Sequence, residues 1–155
     1  MSPLNTGRKL TILNRYFLGS LTMDIEVEKQ KINITATNGK LTVSSMMVAE
    51  HFEKEHKDVL RKIRQTMSEL PENTDHFNER NFAPVEYIDN KGEMRPAYDL
   101  TRDGFVLLVM GFSGKKAMAW KVKYIEAFNA MERAQKDKLY LKAALQIPID
   151  SDLTV

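Results

Sequence analysis

Cysteine is absent from the sequence. That one absence removes disulfides, thiolate metal sites and cysteine nucleophiles together, and it suits a reducing compartment such as the cytoplasm. Long apolar runs are missing too. No stretch approaches the ~20 residues needed to span a bilayer. The apolar patch at Tyr16–Leu18 is too short and too badly flanked for a signal peptide. Histidine is scarce, at His51, His56 and His76. Two ligands on one helix face need a spacing of three or four, but His51 and His56 are five apart with a helix break between them. No HExxH or Cys/His array occurs. The seven glycines build no phosphate-cradling loop, because Gly104, Gly111 and Gly114 fall as helix punctuation. Carboxylates are scattered, and no serine sits in an elbow motif. These absences argue against an enzyme and imply no catalytic residue, metal, cofactor or membrane.

What is present is a chain of 155 residues, 43% hydrophobic and 28% charged, enough for one globular domain with a real core and an appendage. The formal net charge is only +2. The charge is nevertheless clustered. Residues 51–64 hold five Lys/Arg against three acids, and residues 114–138 hold seven against three. The remainder is therefore net negative, and a basic side facing away from a more acidic one is expected.

The most informative stretch is Leu41–Met67, which reads as two short amphipathic helices with a polar break. Ser44 or Ser45 is placed to cap the first, near Met46–Phe52, with Val48, Ala49 and Phe52 inward. Glu53-Lys54-Glu55 is the break. A second helix starts near His56, with Val59, Leu60, Ile63 and Met67 as its apolar stripe and Lys57, Arg61, Lys62 and Arg64 off it. Two short helices joined by a brief turn is the helix-turn-helix pattern, whose second helix can enter the DNA major groove. The break lacks the glycine that such turns often carry.

Before this pair, residues 1–28 form an N-terminal extension with little legible structure. Thr6–Lys9 reads as a loop, residues 10–21 show no clean period, and residues 1–22 are expected to be dispensable for folding. Residues 31–36 alternate as a strand. Asn38-Gly39 is a strong hairpin turn, and residues 41–43 return. After Met67 most of the chain up to Pro84 reads as loop, with Phe77 and Phe82 plugging the core. A second hairpin spans Val85–Leu100, turning at Asp89–Gly92, with Pro96 marking an edge strand. A hairpin behind a helix pair is the layout of a winged helix, with Lys91 and Arg95 near the wing tip. A short buried helix follows, capped by Thr101 and ended near Gly111. Ser113 is placed to cap a long helix from Gly114 to at least Arg133 and onward over 134–147, stopped at Ile147-Pro148. That helix is apolar on two sides. Ala117, Trp120, Tyr124, Ala127, Phe128 and Met131 form one face and Met118, Val122 and Ile125 another, with Leu139 and Leu141 further along. A helix that runs past its domain with an apolar outer face points to a homodimer.

Three segments carry a family resemblance: VAEHFEKEHKDVLRKIRQ (Val48–Gln65), NFAPVEYIDNKGEMRPAYDLTRDGFVLLVMGFSGKKA (Asn81–Ala117) and YIEAFNAME (Tyr124–Glu132). In this order they resemble the phage regulatory protein Rha family, over about residues 42–135. Glu53 departs from it, standing where glycine is expected in many relatives. The resemblance implies a regulator of temperate phages or prophages, working in the cytoplasm of a bacterial host.

The expected fold is therefore α+β. A small winged-helix-like domain, helix-turn-helix plus β-hairpin, occupies residues 29–135, and a C-terminal helix extension and tail occupies 136–155. The first functional reading is double-stranded DNA binding by a homodimer, through His56, Lys57, Arg61, Lys62 and Arg64 with Lys91 and Arg95. The dimer would form through Met118, Val122, Ile125, Leu139 and Leu141. The second reading is a protein-interaction module that acts as an antirepressor or inhibits a host or phage regulatory protein without touching DNA. A third, single-stranded nucleic-acid binding, has only Tyr87 beside Lys91 to recommend it.

Overall fold

Asn38 and Gly39 both take positive φ, 50° and 78°, and the chain reverses there between β3 (Gln30–Thr37) and β4 (Lys40–Ser44). The structure is a computed structural model that describes residues 11–17, 20–27, 30–74 and 76–145. The expected loop at Thr6–Lys9 and the helix stop at Ile147-Pro148 lie outside the described residues. Residues 10–21, which show no clean period, are largely strand: β1 (Thr11–Phe17) pairs antiparallel with β2 (Ser20–Val27), and β2 pairs with β3. Antiparallel pairing defines β1, which does not alternate, while β2 also alternates through Leu21, Met23, Ile25 and Val27.

The chain continues through α1 (Ser45–His51), α2 (His56–Glu69), α3 (Phe77–Asn81), β5 (Phe82–Ile88), β6 (Met94–Leu100), α4 (Arg102–Val109) and α5 (Lys115–Ala144). The fold class is α+β with a long C-terminal helix. Six antiparallel strands are ordered β1-β2-β3-β4-β6-β5. β4 divides its pairing. Lys40, Leu41 and Thr42 face β3, while Val43 and Ser44 face Leu100 and Asp99 of β6. Pro96 thus stands on a strand with neighbours on both sides, and β5 is the edge. The proline is tolerated because β4 reaches only residues 99–100, so β6 at Pro96 has β5 alone beside it.

Local chemistry sets the helix limits. The Ser44 hydroxyl accepts from the Met46 amide at 3.2 Å and caps α1. At the other end, the Lys54 amide donates to the Ala49 carbonyl at 2.9 Å and the Glu53 amide to Glu50 at 3.2 Å. This is a Schellman closure, which needs a left-handed residue at the position Glu53 occupies. Glu53 takes φ 54° without glycine's freedom, at a cost of roughly 1–2 kcal/mol. The turn therefore keeps its form despite the missing glycine. Residues 77–81, read as loop, make the single-turn α3. Thr101 caps α4 by accepting from the Gly104 amide at 3.3 Å. Ser113 does not cap α5: its N-cap is Gly114, at φ 101° and with no side-chain bond.

One core joins these parts. Ile32 and Ile34 of β3, Val48 of α1, Val59 and Ile63 of α2, Phe82 of β5, Leu100 of β6, Phe105 and Leu108 of α4, and Tyr124, Phe128 and Met131 of α5 are all essentially inaccessible. Phe82 is buried and Phe77 half-buried against it, as expected of plugs. α5 lies across β2, β3, β4 and α4. Arg102 braces it from α4, donating to Asn129 Oδ1 at 2.7 Å and pairing with Glu132 at 2.9 Å.

α4 approaches the end of α3 closely through Gly104. A Cβ on Gly104 would lie 2.4 Å from the Asn81 carbonyl oxygen, which itself accepts from the Thr101 amide at 3.2 Å. Both are backbone and cannot swing aside. Gly104→Ala is expected to destabilise the fold by ~1–3 kcal/mol, the usual range for overpacking, read as an earlier denaturant midpoint. An unchanged midpoint would show that α4 can slide off α3.

Candidate nucleic-acid interface

The helix pair is held to the sheet by one buried hydroxyl. Beyond the Ser44–Asp99 pair the β4–β6 ladder stops, and the next β6 amide, Tyr98 N–H, donates to Ser45 Oγ at 3.0 Å. The same oxygen lies 2.9 Å from His56 Nε2, at the start of α2. Ser45 is wholly buried. While it accepts from Tyr98, its O–H remains available to donate to an unprotonated His56 Nε2, and a neutral ring satisfies both groups. Burial pushes the His56 pKa down, in keeping with that role. The His56 ring also meets Tyr87 of β5 edge-on, with centroids 5.8 Å apart. One serine and one histidine thus tie α1, α2 and the second hairpin together.

His56 is therefore turned inward rather than toward a partner. Its position in α2, one turn before Val59 and two before Ile63, puts it on their side of the helix. The sequence spacing of His56 from Val59 and Ile63 itself carries this placement. Tyr87 is half-buried against His56 in the same way, so it offers no free stacking face beside Lys91.

The exposed side of α2 carries Lys57, Arg61 and Arg64 at intervals of four and three, so they share one flank. Lys57 pairs with Glu55 at 2.6 Å and Arg61 with Asp58 at 2.6 Å. All four side chains keep substantial exposure, and such surface pairs contribute little and exchange readily. Arg64 has no ion-pair partner among the described residues. Lys62 lies apart from these three: it is half-buried, with its stem against Gly111 in the α4–α5 loop.

The second hairpin turns at Asp89–Glu93, with Gly92 at φ 80°. Asp89 organises it. One carboxylate oxygen accepts the Lys91 and Glu93 amides, each at 2.9 Å, and the other accepts Arg95 Nε at 2.9 Å. The Arg95 guanidinium, first of several causes, holds the Asp89 carboxyl below its ordinary range. Arg95 also contacts Glu93. Its charge is consequently spent within the tip, and Lys91 is the cation there without a carboxylate partner.

On the opposite side of α1, the His51 ring stacks on Trp120 at 3.9 Å, nearly parallel, and its Nδ1 lies 2.7 Å from the Tyr124 hydroxyl. Tyr124 is fully buried and stacks on Phe105 at 4.5 Å. Burial raises the Tyr124 phenol and lowers the His51 ring, so both stay neutral and the bond is kept. This clasp fixes α5 against α1.

Outside it, α5 exposes Met118 (58%), Val122 (43%) and Ile125 (44%), and farther along Leu139, Tyr140, Leu141 and Leu145. These are large apolar side chains in water. Among the described residues, no three or more His, Asp or Glu come together as a metal site, and no helix is long and apolar enough to cross a membrane.

The model of the phage regulatory protein Rha family matches residues 43–133. A protein of Haemophilus influenzae is 35% identical over 99 residues, 63% of this chain and 56% of its own length. A 22.8 kDa protein of Salmonella phage P22 is 37% identical over 101 residues, 63% of this chain and 48% of its own. The antirepressor candidate YoqD of the Bacillus subtilis SPbeta prophage is 30% identical over 105 residues, 68% and 41%. The chain thus spans about half the length of these curated relatives. No solved structure matches it.

The two inward histidines give a pH dependence whose sign follows from their surroundings. Burial lowers both below the ordinary 6.5. The unfolded chain therefore binds more protons as pH drops through that value, and stability present above it is progressively lost. Protonated His56 would also leave the Ser45 hydroxyl without its acceptor. The melting temperature is expected to fall as pH is lowered from about 7 to about 5, and to fall less in the double variant His51→Gln/His56→Gln. A wild-type melting temperature that stays flat across this range contradicts the assignment.

Proposed function

The chain belongs to the phage regulatory protein Rha family, and on that premise we propose that it regulates phage gene expression by binding double-stranded DNA. The reading is of a cytoplasmic, non-catalytic regulator in the bacterial host. The observation that carries it is the exposed flank of α2, where Lys57, Arg61 and Arg64 stand on the second helix of a helix pair that Ser45 anchors to a β-hairpin. β6 of that hairpin pairs back onto β4, the strand that leads into α1. This supports a winged-helix use of the unit, with α2 toward the major groove and Lys91 touching backbone beside it. His56 braces α2 from behind, and Arg95 shapes the wing tip while leaving one side exposed.

Phosphate contacts from these cations would supply most of the affinity and make it fall with salt. The Lys57–Glu55 and Arg61–Asp58 pairs suit such an exchange, because each cation can leave a weak surface partner for a phosphate or a base edge.

A second reading keeps the regulation and removes the DNA: the chain would act as an antirepressor, engaging a phage or host regulatory protein. It is favoured by the apolar outer face of α5 and by the name carried by the Bacillus subtilis relative. The same face serves the first reading as a homodimer surface, through Met118, Val122, Ile125, Leu139 and Leu141.

Two measurements divide these readings. In a gel shift on duplex DNA at low salt, the wild type should retard the probe. Arg61→Ala should weaken binding by ~1–3 kcal/mol with relaxed preference at one base pair if it reads a guanine edge, and evenly across sequences if it holds phosphate. Absence of any shift favours the antirepressor reading. In sedimentation, the wild type should run as a dimer and Ile125→Glu as a monomer. A wild type that sediments as a monomer removes the α5 interface.

A further inference from the structure

We propose that lysines gathered around the α4–α5 loop form a second phosphate-contacting surface, which grips the duplex backbone on the side of α2 opposite Lys57 and Arg64. This rests on the DNA-binding reading above and extends it to residues on two other parts of the chain.

The loop spans residues 110–114. Lys54, from the α1–α2 turn, holds its ammonium 4.6 Å above the Phe112 ring. Lys121, one turn into α5, donates to the Phe112 carbonyl. Lys62 of α2 runs its stem past Gly111, where an added Cβ would come within 3.3 Å of it. Lys116 reaches Glu53 at 3.1 Å, and Lys115 is exposed beside it with no ion-pair partner among the described residues. Five lysines from the turn, α2 and α5 thus converge on one loop, and among the described residues the sole acid in their ion pairs is Glu53.

The contrast with the α2 flank is informative. There Lys57 and Arg61 each already have a carboxylate at 2.6 Å. Around the loop the positive charge is far less compensated, so the local field is stronger. Lys115 and Lys116 stand in the first turn of α5, where the helix dipole disfavours cations, and no acid offsets them within that turn. Five cations gathered on one loop with a single paired carboxylate repel one another, and an anion facing them would relieve that repulsion.

The shape of α2 says which anion. Lys62 is five residues after Lys57, which puts it well round the helix on the opposite border of its exposed side. Cations therefore line both borders, with Arg61 and Gln65 between. A helix in a groove has a phosphate strand on each side, and this arrangement answers both.

The test uses the full chain and a labelled random-sequence duplex, with affinity measured by fluorescence anisotropy over a range of salt. Removing one lysine–phosphate pairing lowers the steepness of log K against log salt by about 0.9. Lys115→Gln alone, which disturbs no ion pair within the protein, should lower it by about one such step, and Lys54→Gln/Lys115→Gln/Lys116→Gln by two to three steps. Lys40→Gln/Lys136→Gln, exposed elsewhere, controls for net charge and should leave it nearly unchanged. An unaltered slope in both lysine-loop variants, with the wild type still binding, overturns this proposal and leaves the α2 reading standing. An equal drop in the control overturns it as well. A wild type that does not bind the duplex at low salt overturns both.

Discussion

The Ser45 hydroxyl is the point on which the arrangement turns. It occupies the place where a ladder would otherwise run out, completing β6 with a side chain where β4 has left for α1. Because it is buried, it must satisfy both its donor and its acceptor capacity within the protein. Tyr98 and His56 do so. Any displacement of α2 relative to the hairpin would strand one of these groups away from water, at a cost of about 1–3 kcal/mol. The relative pose of helix pair and hairpin is consequently specified by hydrogen-bond satisfaction, which is directional, and not by apolar packing alone.

A second directional contact works at the other end of α1. His51 closes α1 onto α5 by stacking on Trp120 and bonding Tyr124, whose ring lies on Phe105 of α4. α1 is a seven-residue helix, too short to be stable alone, and it is fixed at one end by Ser45 and at the other by His51. The exposed face of α2 inherits that rigidity. Its outward side chains stay exposed and weakly paired on a helix whose inner side is fixed.

Much of this was legible in the sequence, and the failures have physical causes. The Asn38-Gly39 turn, the helix pair, the second hairpin and the long α5 each carry a local signal: a left-handed dipeptide, a period near 3.6, a glycine in a tight turn. β1 has no such signal: Thr11–Phe17 does not alternate, and antiparallel pairing with β2, the next strand along the chain, defines it. Gly104 reads as punctuation from sequence, yet its role is a backbone-to-backbone approach that only the tertiary fold creates. Ser45 looks like a spare cap beside Ser44, and nothing in its neighbours announces that it is buried. His56 is different: its spacing from Val59 and Ile63 placed it inward, and charge density outweighed geometry in the reading. For the candidate interface, residue types were legible but partners were not. Which cations are neutralised by Glu55, Asp58, Asp89 and Glu93 depends on contacts that sequence spacing only suggests.

The strand that changes partners marks a seam through the core. The family match begins at residue 43, the residue at which β4 passes from β3 to β6. Ile32 and Ile34, both fully buried, belong to the strand on the far side of that hand-over. Taken by itself, the matched span of this chain is therefore an unroofed half-core: part of its apolar surface is covered by Ile32 and Ile34 from outside it. Cut free at residue 43, it would present that bare surface to whatever lay nearest.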